Sequence, residues 1–227
     1  AARPVTQPRR DVGHTDPMAA STRSRRLGRP PDTDSAETRQ RILEIARAAF
    51  AFGGYDGSTN RELATKAGIT SGALYHYFGS KLDLYLAVHE DVQQRVYGQF
   101  NEAADGAVGF LGKFDAILDT AHELNKADPT FAAFLGAVRT DMRRHPEIAE
   151  ALSAHAERRG RFFVRLVDEG IERGEIDPAN RDVVNEFVAI ILVGLTDGVS
   201  DDSTRHKLAT TSIKMALRGS LVSPPTS

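Results

Sequence analysis

Between residues 70 and 81 the chain reads TSGALYHYFGSK. Thr70 and Ser71 bring hydroxyls, Tyr75 a phenol, His76 an imidazole and Lys81 an ammonium. Each group can donate a hydrogen bond, and as a set they suit phosphate oxygens or the edges of bases. Catalytic spacing is not found elsewhere. The histidines at 14, 76, 89, 122, 145, 155 and 206 show no H-E-x-x-H pattern, and there is no G-x-S-x-G or phosphate loop. The chain has no cysteine, which excludes disulfides, thiolate zinc sites and a cysteine nucleophile and fits a reducing compartment. We therefore expect no enzyme, no metal and no cofactor.

Those donors need a helix to present them. On a wheel of about 100° per residue, Leu74 and Phe78 share one face with Tyr77 at its edge. Gly72 and His76 point nearly opposite, flanked by Ala73 and Tyr75. Upstream, Thr59 and Glu62 form a T-x-x-E capping box that opens a short helix carrying Leu63, Ala64 and Ala67 inward. Gly68 ends that helix, and Thr70 or Ser71 caps the next. Two short helices joined by a glycine turn, the second with small and polar groups outside, make a helix-turn-helix. Its second helix enters the major groove by its N-terminal residues. A plain helical core with an incidental outward histidine has the same local pattern.

The rest of the chain reads as all-α, with about nine helices. The first starts at Asp34, where Asp34 and Glu37 form a capping pair, and it stops at Gly53-Gly54. The fourth starts at Lys81, capped by Ser80 and Asp83, and runs to about Asn101. Five more follow: Ala107 to Lys126; one opened by Asp128-Pro129; one from His145-Pro146 to Arg173-Gly174; Arg181 to Val199; and Ser203 to Arg218. No run of about 18 apolar residues is present, so no membrane span is expected. No signal-peptide pattern is seen. Met18 is a candidate start, with residues 1–17 an upstream extension.

The net charge of −2 conceals an asymmetry. Residues 1–31 hold seven arginines against Asp11 and Asp16, a net of +5, so the remainder sums to −7. Residues 1–33 are rich in Arg, Pro, Ser and Thr and are expected to be a disordered basic arm. Residues 221–227 are expected to be a disordered tail.

Residues 53–88, GGYDGSTNRELATKAGITSGALYHYFGSKLDLYLAV, resemble the signature helix-turn-helix of the TetR (tetracycline-repressor-like) family of transcriptional regulators. The glycine-aromatic pair before a Thr-capped helix, the ELATKAGI segment and the G-x-LYHYF-x-SK segment all match in spacing. Further on, GEIDPANRDVVNEFVAIILVGLTDGV resembles the family's penultimate helix. Leu82 departs from the pattern, since an acidic residue commonly follows the lysine. The resemblance implies a DNA-binding domain over residues 34–88 and a ligand-binding and dimerisation domain over 89–220. It also implies a cytoplasmic protein that binds a palindromic double-stranded DNA operator as a homodimer. Repression relieved by a small lipophilic effector is the expected mode. An activator, or a helical interaction module that no longer binds DNA, are the alternatives.

Carried over by position, the family's DNA contacts fall on Thr59, Arg61, Thr70, Ser71, Gly72, Ala73, Tyr75, His76 and Lys81. Thr59, at a helix start, is expected to meet a phosphate. Arg25, Arg26 and Arg29 in RRLGRPPD match an arm that follows the minor groove, with Leu27 in place of an arginine. The effector pocket is expected among Phe110, Phe114, Phe131, Phe134, Val138, Met142, Phe162, Phe163 and Leu166. Leu118, Leu135, and the polar groups of His122, Arg139, Asp141 and His155 are weaker candidates, the polar ones expected on solvated faces. The dimer interface is expected on the last two helices, at Phe187, Ile191, Leu195, Leu208, Ile213 and Leu217.

Overall fold

The structure, a computed structural model, describes residues 31–221, without the side chains of residues 31–34 and 154–160. The arm arginines Arg25, Arg26 and Arg29 and residues 222–227 of the tail lie outside the described residues, as does the side chain of His155. Among the described residues there are nine α-helices, one short 3-10 helix and no strand. None of the described helices is long and apolar enough to cross a membrane.

Helix α1 (Pro31–Gly53) buries Ile42, Leu43, Ala46 and Phe50, which recur at helical spacing. It begins three residues before the expected Asp34, because Pro31 already has the backbone angle of a first helical turn. Gly54 ends it with φ +66°, a left-handed turn. Helix α2 (Asn60–Lys66) opens with the complete Thr59–Glu62 box. At its end the Gly68 amide donates to Thr65 O and the Ile69 amide to Ala64 O, with Gly68 at φ +70°.

Helix α3 (Ser71–Tyr77) is capped by Thr70, whose hydroxyl accepts from the Ala73 amide at 3.1 Å. Leu74 and Phe78 seat it on the core, each burial contributing about 1.5–3 kcal/mol. Helix α4 (Lys81–Asp105), capped by Ser80, extends four residues beyond the expected end and stops before Gly106. Its buried stripe, including Leu84, Tyr85, Val88, Val92, Val96 and Phe100, runs from the helix-turn-helix end into the second half.

That second half comprises α5 (Gly109–Ala127), α6 (Thr130–Arg144), α7 (Pro146–Glu172), α8 (Arg181–Asp197) and α9 (Ser203–Leu217). Pro129 stands at the N-cap of α6 rather than at its first position. Asp128 instead receives the Thr130 amide at 3.0 Å. A 3-10 turn at Pro178–Asn180 was not anticipated; Asp177 accepts from the Ala179 amide there. The packing places α6 between the two halves. It lies against α1 on one side and against α7 and α8 on the other.

Candidate functional site

Most of the predicted DNA contacts on α2 and α3 face outward. Thr59, Arg61, Thr70, Gly72, Tyr75 and His76 are exposed, and Ser71, Ala73 and Lys81 are half-buried. Tyr75, at 52% exposure, is a large ring with no place in the core. Two details refine the expectations. The Thr59 hydroxyl donates to Glu62 Oε2 at 3.0 Å and accepts the Glu62 amide at 3.2 Å, so its own hydrogen is committed within the capping box. Those Thr59 bonds, led by the one from its backbone amide, hold the Glu62 carboxyl below its usual range. Lys81 lays its ammonium 4.4 Å from the Tyr55 ring centroid. Burial lowers its pKa, opposed by Asp56, Asp141 and Glu62.

Behind this surface, a buried polar junction ties the helix-turn-helix to α6. Asp141, expected on a solvated face, is only 4% exposed. Its Oδ2 accepts from the Tyr85 hydroxyl at 2.8 Å and the Tyr55 amide at 2.9 Å. Burial, followed by the Asp141 interaction, pushes the Tyr85 phenol far above its ordinary range. A Cβ on Gly54 would stand 3.1 Å from the other Asp141 oxygen, and φ there is +66°, so a side chain would crowd the carboxylate and strain the turn. The His145 ring packs on Tyr55 at 5.0 Å and meets Asp56 at 3.0 Å. Near the other end of α6, Arg47 of α1 reaches Asp128 at 2.5 Å and donates to the Thr130 hydroxyl at 2.8 Å. Its guanidinium also lies 3.8 Å from the Phe131 ring centroid. Burial would raise the Asp128 pKa, but bonds from Thr130 and the Arg47 charge hold it below the ordinary range.

The adjoining face of α6 lines a cavity of about 310 Å³. Phe131, Leu135, Val138 and Met142, spaced for one helical face, line it from α6, and Tyr97, Phe100 and Phe163 line it from α4 and α7. Four of the nine predicted pocket residues therefore line it: Phe131, Val138, Met142 and Phe163. The other five are core instead. Phe110 and Phe114 stack on each other at 5.8 Å beside α7. Phe134, about 60° round α6 from Phe131, packs on Tyr85 at 5.3 Å instead. Phe162 packs against Phe100 and Tyr97, and Leu166 is buried in α7. Leu118 is likewise fully buried away from the cavity, whereas Leu135 and Arg139 line it. Arg139 bonds Thr196 and Asp197 of α8, reaching Asp197 Oδ2 through Nε at 3.1 Å. Polar groups not foreseen on the wall are Gln93, Asn125, Thr196 and His206.

The expected dimer residues divide by face. Ile191 and Leu195 are buried within the chain itself, and Leu195 lines the cavity. They cannot be the outward surface, because they lie on the inner side of α8. Ile213 and Leu217 are half-buried against the core. Phe187 and Leu208 are exposed, joined by Val183, Ile190, Val193 and Met215. This is the apolar stripe left uncovered by the chain's own packing.

Comparison with known proteins agrees with this geometry. Residues 42–88 match the family model described as bacterial regulatory proteins, tetR family. The HTH-type transcriptional regulator UidR of Escherichia coli (strain K12) is 27% identical over 177 residues, covering 78% of this chain and 87% of UidR. The HTH-type transcriptional repressor AcnR of Corynebacterium jeikeium (strain K411) is 38% identical over 109 residues, covering 45% of this chain and 58% of AcnR. The fold is shared with the transcriptional regulator FadR from Bacillus subtilis in complex with stearoyl-CoA. The TM-score is 0.68 at 18% identity, over 81% of this chain and 99% of that one. The helix-turn-helix, the all-helical second half behind it and these likenesses together place the chain in the TetR family of transcriptional regulators.

Proposed function

We propose that the chain is a repressor that binds a palindromic DNA operator as a homodimer and is released by a small, largely apolar effector. The supporting observation is the double role of α6. One face lines the cavity with Phe131, Leu135, Val138 and Met142; the adjoining face holds the DNA-binding half through Thr130 and Asp141, helped by Asp128 just ahead of the helix. A molecule that presses on Phe131 presses on the ring that carries Arg47 of α1. An effector acts by binding better to a form whose two recognition helices cannot both reach major grooves about 34 Å apart. By linkage, operator and effector weaken each other by the same factor. Repression is inferred from the likeness to AcnR, a transcriptional repressor, and a cavity effector from the fold shared with FadR, whose structure holds stearoyl-CoA. Action on DNA puts the protein in the cytoplasm.

The donors on α3 suit base edges and phosphates, with Gly72 and Ala73 allowing close approach. The test is a gel shift with the DNA upstream of the chain's own gene. A retarded complex at low salt, lost on mutation of either half-site, is the expected result. No shift at low salt would instead favour the protein-interaction module.

A further inference from the structure

The cavity wall is mostly apolar, yet one part of it holds polar atoms that the chain leaves unpaired. Asn125 of α5 is 3% exposed, and neither its side-chain oxygen nor its nitrogen has a hydrogen-bond partner within the chain. Gln93 of α4 uses one amide atom on His89 at 3.3 Å and leaves Oε1 buried and unpaired. His206 of α9, 2% exposed, leaves Nδ1 unpaired. All three side chains line the same cavity. His122 stacks on His206 at 5.6 Å, its Nδ1 also without a partner. Buried polar atoms are nearly always paired, and an apolar residue of the same shape would be less costly in each place. Interchanging the Asn125 oxygen and nitrogen changes nothing, since both are unpaired.

We propose that Asn125, Gln93 and His206 form the recognition end of the cavity. They would select an uncharged ligand with an apolar body and a hydroxyl head. This rests on the reading of the cavity as the effector site. The chemistry discriminates among heads. A carboxylate only accepts, so it would face the Asn125 and Gln93 oxygens without a proton to offer. An ammonium only donates and would leave the Asn125 nitrogen unpaired. A hydroxyl does both. The one permanently charged residue on the described wall, Arg139, is already neutralised by Asp197. Burial lowers the pKa of His206 and His122 from 6.5, so both are neutral at neutral pH and offer no cation to an acid. The aromatic rings of Tyr97, Phe100, Phe131 and Phe163 suit a flat body at the other end. The volume of about 310 Å³ lies at the small end for drug-sized ligands.

The test uses the full chain with 2-naphthol, naphthalene and 2-naphthoate. The chain has no tryptophan, so naphthyl fluorescence can be followed directly. We expect 2-naphthol to bind at least about ten-fold more tightly than either analogue, although naphthalene leaves water more readily. Asn125→Leu should erase that preference while naphthalene binds as before, and should raise the melting temperature by a few degrees. Gln93→Leu, at a half-buried position, gives the same reading on preference if Asn125→Leu fails to fold. Equal binding of the three probes, or tightest binding of 2-naphthoate, overturns the proposed head group while leaving the cavity as the effector site. A lowered melting temperature in folded Asn125→Leu overturns the unpaired state of Asn125. No binding of any probe overturns both this proposal and the placing of the effector in this cavity.

Discussion

The Tyr85 hydroxyl donates to Asp141 Oδ2 at 2.8 Å, and this is the buried bond that fastens the start of α4 to the end of α6. The same oxygen takes the Tyr55 amide from the turn after α1. One carboxylate thereby fixes three segments that arrive from different parts of the chain. Asp141→Ala leaves a phenol hydroxyl and an amide without their acceptor. The expected loss is about 2–4 kcal/mol of unfolding free energy, read from urea denaturation. A loss below about 1 kcal/mol would mean that other contacts hold the junction.

Arg47 makes its contacts through a planar fork and a stacked face. Lysine can supply the charge but neither geometry. Arg47→Lys should cost about 1–3 kcal/mol in the same denaturation experiment. At 5% exposure Arg47 cannot touch DNA, so operator affinity measured by fluorescence anisotropy should change less than about three-fold. A large loss of affinity without loss of stability would contradict this placement.

The arm is tested by salt. Deleting residues 1–30 removes Arg25, Arg26 and Arg29 ahead of α1. Each lost phosphate contact should reduce the slope of log affinity against log salt by about 0.9, so a reduction of about 2–3 is expected. An unchanged slope means that the arm does not meet DNA.

The stacked imidazoles predict a pH dependence of stability. Burial, aided by Lys207, lowers the His122 pKa from 6.5; burial, aided by His122, lowers that of His206. The unfolded chain therefore binds more protons than the folded one once the pH falls below about 6.5. Stability should be full above that value and decline as the pH drops through it towards the folded pKa values. His206→Asn should flatten that decline between pH 7 and 5 in thermal melts. An equally steep decline would assign it to other groups.

How much of this could be read in advance depends on the distance along the chain between partners. The Thr59–Glu62 box and the inward pair Leu74 and Phe78 were legible, because their geometry is set within a few residues. The outward placement of Tyr75 and His76 follows from the same wheel. Asp141 was not legible: the Tyr55 amide lies 86 residues away, and a lone acid in a polar helix reads as solvated. Arg47 meets Asp128 across 81 residues for the same reason. Phe131 and Phe134 differ by three positions and look alike in sequence, yet one lines the cavity and the other packs on Tyr85. Asn125 was not legible either, since a lone amide in a helix gives no sign in the sequence that it lines a cavity.

Helix α8 shows its cavity side at Leu192 and Leu195, and its outer side at Val183, Phe187 and Ile190. Val193 belongs to both the wall and the exposed stripe. If a second copy covers that stripe, anything seated in the cavity lies one helix thickness from the partner. Its apparent affinity would then vary with protein concentration, because dilution would remove the support behind one wall. A titration run at nanomolar protein and another at micromolar protein would report two different binding constants for the same molecule.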